Sequence, residues 1–74
     1  MDNYTVEVWE IEGRDKQQDN PDFRFKNVFA RSPELALRRI LLDNKITEKV
    51  DAKVIWNENE GERHQIFKGY LLEI

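Results

Sequence analysis

The stretch Ser32-Pro33-Glu34-Leu35-Ala36-Leu37-Arg38-Arg39-Ile40-Leu41-Leu42-Asp43-Asn44 constrains the fold more than any other part of the chain. It carries a helix start, a helical interior and a helix stop, and strand-like sequence lies on both sides of it. Ser32 is a good N-cap because its hydroxyl can accept from an otherwise orphaned backbone N–H. Pro33 at the first helical position lacks only an N–H that would be unpaired there anyway. Glu34 places a carboxylate at the positive end of the helix dipole. Leucine, alanine and arginine, all strong helix formers, fill the interior. Asn44 tolerates positive φ and is expected to close the helix in the left-handed conformation.

At about 100° per residue, Ala36, Leu37, Ile40 and Leu41 share one side of this helix and are expected to be buried. Leu35 and Leu42 fall together on the opposite side, flanked by Arg38 and Arg39. Isolated surface leucines are ordinary, so this second stripe reads equally well as plain surface or as a face covered by a partner chain.

Before the helix, Tyr4 to Glu12 is rich in Val, Trp, Tyr and Thr and predicts a first strand. Tyr4, Val6 and Val8 point one way; Thr5, Glu7, Trp9 and Ile11 point the other. The polar segment Gly13 to Asp22 reads as a long loop. Phe23 to Ala30 predicts a second strand, with Phe23, Phe25 and Phe29 on one face beside Asn27, and Arg24 and Lys26 on the other with Val28 and Ala30. After the helix, Lys45 to Lys49 is a connector in which Ile46 is placed to fold back under the helix end. Val50 to Asn57 is a third strand, with Val50, Ala52, Val54 and Trp56 on one face. Glu58-Asn59-Glu60-Gly61 forms an acidic turn in which Gly61 is available for positive φ. Glu62 to Ile74 is a fourth strand. In strict alternation Ile66, Tyr70, Leu72 and Ile74 share one face and Phe67 and Leu71 the other, with Gly69 a mark of a bulge or a close backbone approach.

The order strand, strand, helix, strand, strand predicts an α+β fold. Two hairpins joined by one helix give a four-stranded antiparallel sheet of spatial order 2-1-3-4 with the helix packed on one face. One helix cannot cover both faces of such a sheet, so Trp9, Ile11, the phenylalanines or Trp56 should leave an apolar patch on the open one. Patches of several hundred Å² usually mark an interaction site.

Seventy-four residues are read as one domain, residues 1–74. A chain this short buries only about 60% of its unfolded surface, so oligomerisation would be a sensible supplement to its stability. It has no cysteine, so neither a disulfide nor a thiolate site is available. Met1-Asp2-Asn3 has neither the basic nor the apolar region of a signal peptide, and no apolar run approaches the roughly 20 residues of a membrane span. The expected location is cytoplasmic, with no membrane partner. From Phe23 to Lys49, seven basic residues stand against three acids, although the whole chain carries −3. Such asymmetry bears on partners and steering, not on fold.

No residue pattern meets a catalytic standard, and no cofactor is implied. His64 is the only histidine; alone on a strand and without a cysteine to pair with, it reads as a surface or packing residue. Glu7, Glu10, Glu12 and the Glu58, Glu60, Glu62 set read as solvated groups on strand edges and a turn. Asp15, Asp19 and Asp22 do not match the spacing of a calcium loop. Phe23-Arg24-Phe25-Lys26, extended by Arg31 and the helix arginines, interleaves aromatic and basic side chains as a nucleic-acid platform would. The alternation of an ordinary half-buried strand explains the same pattern more simply.

The sequence therefore points to a non-enzymatic protein–protein interaction module, a homodimer or a domain docked on a larger protein. Leu35, Leu42, Arg38, Arg39, Trp9 and Ile11 are its candidate contact residues. The alternative, of a different class, is a nucleic-acid-binding domain using Phe23, Arg24, Phe25, Lys26 and Arg31.

Overall fold

The structure is a computed structural model that describes residues 1–11 and 20–73. The first strand stops at Glu10 and the fourth at Tyr70, short of the expected Glu12 and Ile74, which with loop positions 13–19, including Asp15 and Asp19, lie outside the described residues. The elements run β1 (Asp2–Glu10), β2 (Phe23–Ala30), α1 (Pro33–Asp43), β3 (Val50–Glu58) and β4 (Gly61–Tyr70). The strands form one antiparallel sheet of order β2-β1-β3-β4, as expected. The helix packs on one face of it, chiefly over β1, β2 and β3. The result is a slab of 37 × 30 × 17 Å.

The helix forms as its signals require. The Ser32 hydroxyl accepts from the Leu35 N–H at 3.2 Å, and Pro33 opens the first turn. Ala36, Leu37, Ile40 and Leu41 are buried against the sheet. They meet Tyr4, Val6 and Val8 of β1 and Val50, Ala52 and Val54 of β3, all in one apolar cluster. Ile46 tucks against that cluster, as its position after the helix suggested.

The helix end differs from expectation by one residue. Asn44 lies at φ −102°, and Lys45 takes the left-handed conformation at φ 56°. The Ile46 N–H then bonds the Leu41 carbonyl at 2.9 Å and the Lys45 N–H bonds the Leu42 carbonyl at 3.2 Å. These are the two hydrogen bonds of a Schellman closure. Asn44 instead turns its side-chain amide onto the Ile40 carbonyl at 2.9 Å. The β3–β4 turn is corrected in a similar way: Asn59 holds φ 52°, and Gly61 keeps an ordinary strand φ.

The larger correction concerns the faces of both edge strands. Strict alternation fails because each strand carries a bulge. Between the pairs Tyr4–Val28 and Val6–Phe25, the single residue Thr5 faces both Lys26 and Asn27, and Asn27 sits at φ 59°. An extra residue reverses side-chain parity beyond it. Phe23 and Phe25 therefore share the helix side with Val28 and Ala30, while Phe29 lies on the opposite side. The same happens in β4, where Lys68 and Gly69 together oppose Asp51 and Gly69 takes φ +59°. Phe67 thereby joins Tyr70 and Leu72 on the core side, and Ile66 is left on the other. The rings of Phe67 and Tyr70 meet edge to face at 5.7 Å. The Asp51 carboxylate pins the second bulge by accepting from the Gly69 N–H at 2.9 Å.

Candidate interaction surfaces

The sheet face turned away from the helix is built from Thr5, Glu7 and Trp9 of β1, Lys53 and Ile55 of β3, Arg24 and Phe29 of β2, and His64 and Ile66 of β4. One row crosses all four strands: Arg24, Glu7, Lys53 and Ile66 stand opposite one another in turn. Glu7 is at its centre and is only 8% exposed. The reading of Glu7 as a solvated edge carboxylate is therefore corrected, because β1 is a central strand and its neighbours' side chains close over it. Arg24 answers the charge: its Nε and Nη2 lie 2.8 and 2.7 Å from the same Glu7 oxygen. A carboxylate enclosed on a sheet face needs such a partner, since an unpaired buried charge is costly. The sequence holds one signal of this pair, a carboxylate between two valines in an apolar strand, but only the pairing register shows that Arg24 lies opposite.

Apolar side chains rim this charged row. Phe29 and Ile66 are about half exposed, at 50% and 48%, and Trp9 and Ile55 are partly exposed. The helix presents a second surface on the far side of the slab, where Leu35 and Leu42 stand at 46% and 47% exposure. Arg38 is exposed there, while Arg39 donates to the Phe29 carbonyl at 3.0 Å and lies 3.9 Å from Asp43. The six candidate contact residues are thus divided between two opposite faces: Leu35, Leu42, Arg38 and Arg39 on the helix, Trp9 with exposed Ile11 at the end of β1 beneath the sheet. No single flat partner spans both sets.

The aromatic and basic residues of the nucleic-acid alternative are also separated. Phe23 and Phe25 stack at 6.3 Å on the helix side; Arg24 points to the other face and is engaged by Glu7; Arg31 is exposed at the β2–α1 connection.

The third surface is β4 itself. Along its length only Phe67 and Tyr70 are partly buried, and every other residue is exposed. The helix leans towards the β2 side of the sheet, so β4 projects beyond its cover. The hairpin tip is acidic, with Glu58, Glu60 and Glu62 close together in sequence, whereas Arg24, Lys26, Arg31, Arg38 and Arg39 lie on β2, the helix and the connection between them. The charge asymmetry of the sequence becomes a separation across the sheet.

Among the described residues, the phenols of Tyr4 and Tyr70 are shifted from their usual value, and both serve packing. Burial, then the Asp2 carboxylate, raises the Tyr4 phenol above its usual value of 10.0. Its ring is nearly inaccessible and meets Trp56 edge to face at 5.6 Å. Burial, then Glu34, raises Tyr70 as well, with Arg38 opposing. Asp22 accepts from the Glu10 N–H at 2.7 Å and so ties the end of β1 to the residue before β2. Among the described residues no group of three or more histidine, aspartate or glutamate side chains is placed to hold a metal ion, and no helix is long and apolar enough to cross a membrane.

No protein-family model matches the chain, and no curated protein or solved structure matches it at a significant level.

Proposed function

We propose that this chain is a non-enzymatic protein–protein interaction module that acts by self-association. The observation that carries the reading is incomplete cover. One helix shields one face of a four-stranded sheet, leaving half-exposed Phe29 and Ile66 on the open face and Leu35 and Leu42 on the helix's outer side. Scattered apolar side chains alone would be ordinary. Here they accompany an edge strand of which only Phe67 and Tyr70 pack against the core, in a chain whose size supplies little stabilising core. A second copy adds cover without adding chain.

The nucleic-acid alternative draws less support from the geometry, because the stacked phenylalanines and Arg24 lie on opposite sides of the sheet. Sedimentation velocity from low to high micromolar concentration tests the proposal. A shift from monomer to dimer mass is expected; monomer mass throughout refutes self-association. A labelled single-stranded oligonucleotide titrated at low salt tests the alternative, whose affinity would fall steeply as salt is added.

A further inference from the structure

We infer that the edge of β4 is the self-association surface, and that two copies join antiparallel through it to extend the sheet from four strands to eight. This rests on the self-association reading and specifies how it is done.

The first support is the state of the two sheet edges. β2 is interrupted in mid-strand by its bulge, and Arg39 already occupies the Phe29 carbonyl. β4 keeps an unbroken register with β3 from Gly61 to Phe67. The hairpin loop is two residues long, so the flanking pair, Glu58 and Gly61, exchanges hydrogen bonds. Alternation along an antiparallel ladder then aims the backbone of Arg63, Gln65 and Phe67 at β3, and that of Glu62, His64 and Ile66 outward. The edge therefore presents regularly spaced donors and acceptors, which an extended strand satisfies by β-augmentation.

The second support names the occupant. A two-fold axis at Gln65 sets Glu62 opposite the partner's Lys68, and Lys68 opposite the partner's Glu62. Both side chains lie on the open face: Glu62 pairs with Asn57, and Lys68 sits 3.9 Å from Asp51 with 76% of its side chain exposed. The same register places His64 against the partner's Ile66, and, on the helix side, Arg63 against the partner's Phe67. No like charges meet. On its open face the strand carries an acid, Glu62, at one end and a base, Lys68, at the other, so its own antiparallel copy complements it there. Isologous contacts of this kind close as a dimer.

The test uses the full chain and sedimentation equilibrium. Glu62→Lys and Lys68→Glu each place like charges at both ends of the interface and are expected to weaken dimerisation about tenfold or more. An equimolar mixture of the two variants restores both pairs in a heterodimer, and the double swap restores both in a homodimer; dimer mass is expected in each. His64→Pro removes an outward N–H that β3 does not use, and is expected to leave a folded monomer by circular dichroism. A wild-type chain that stays monomeric refutes self-association altogether. A wild-type dimer that all three single variants leave intact keeps self-association and overturns the β4 edge. Weakened single variants that neither the mixture nor the double swap rescues overturn the proposed register.

Discussion

Both edge strands break their alternation with a residue in the left-handed conformation, Asn27 in β2 and Gly69 in β4, yet the two edges are in different conditions. In β2 the break falls in mid-strand under the helix, and it turns Phe23 and Phe25 towards the core that Val28 and Ala30 already line. In β4 it falls near the end, leaving a long regular run beyond the helix. The β2 edge is distorted, covered and partly capped, which are common protections of an exposed edge. The β4 edge has charged side chains, little cover and a ladder unbroken from Gly61 to Phe67. The contrast teaches where one helix is spent in a sheet of four strands: on one side, so that the other keeps less cover.

The sharpest way to break the comparison is to cut into each half. Leu37→Ala, beneath the helix, is expected to cost about 2–5 kcal/mol by urea denaturation. Ile66→Ala on β4 is expected to cost under about 1 kcal/mol when both are measured dilute enough for the chain to be monomeric. Equal losses would mean that the two halves are equally well covered. Next in size is the enclosed carboxylate. Arg24→Ala strands Glu7 and is expected to cost about 1–3 kcal/mol, whereas its neighbour Lys26→Ala should change stability by less than about half a kcal/mol. A harmless Arg24→Ala would show that Glu7 is satisfied without it.

The bulges themselves come third. Gly69→Ala has open space for the new methyl group, so its expected cost of about 1 kcal/mol is purely that of a left-handed alanine. Asn27→Ala should cost at least as much, because it also removes the acceptor of the 3.0 Å hydrogen bond from Asn3. Asn27→Gly should recover most of that loss. The smallest effect lies outside both edges: Lys45→Gly relieves a left-handed lysine and is expected to raise stability by about half a kcal/mol, read as a rise in melting temperature.

Local signals made the helix and the strand order legible in advance. The Ser32-Pro33 start and the Ala36, Leu37, Ile40, Leu41 stripe depend on residues a few positions apart. The sheet order follows from connection lengths and the position of the helix. What the sequence concealed depends on single-residue phase. Strict alternation puts Phe25 with Phe29, and one extra residue at Asn27 separates them. Gly69 did announce a bulge, but not that Phe67 would change sides. Leu35, Leu42, Trp9 and Ile11 were legible as surplus apolar side chains, with Arg38 and Arg39 as flanks of the leucines; their division between two opposite surfaces was not, because it requires knowing which face the helix takes. The Glu7–Arg24 pair shows the same limit, since its partners meet only once the hairpin register is set.

The strand order also governs how the molecule can assemble in time. β1 occupies the middle of the sheet, but the neighbour that completes it, β3, follows only after β2 and the whole of α1: Val6 meets Val54 and Val8 meets Ala52. As the chain is synthesised, β1 and β2 can form a hairpin, but one long edge of β1 and the apolar stripe of α1 then wait without partners. The decisive closure must bring distant segments together, which costs loop entropy before any contact repays it. Folding should therefore take on the order of milliseconds, slower than a helical bundle of this length. Until β3 arrives, the strand that ends up most protected is the one most open to mispairing.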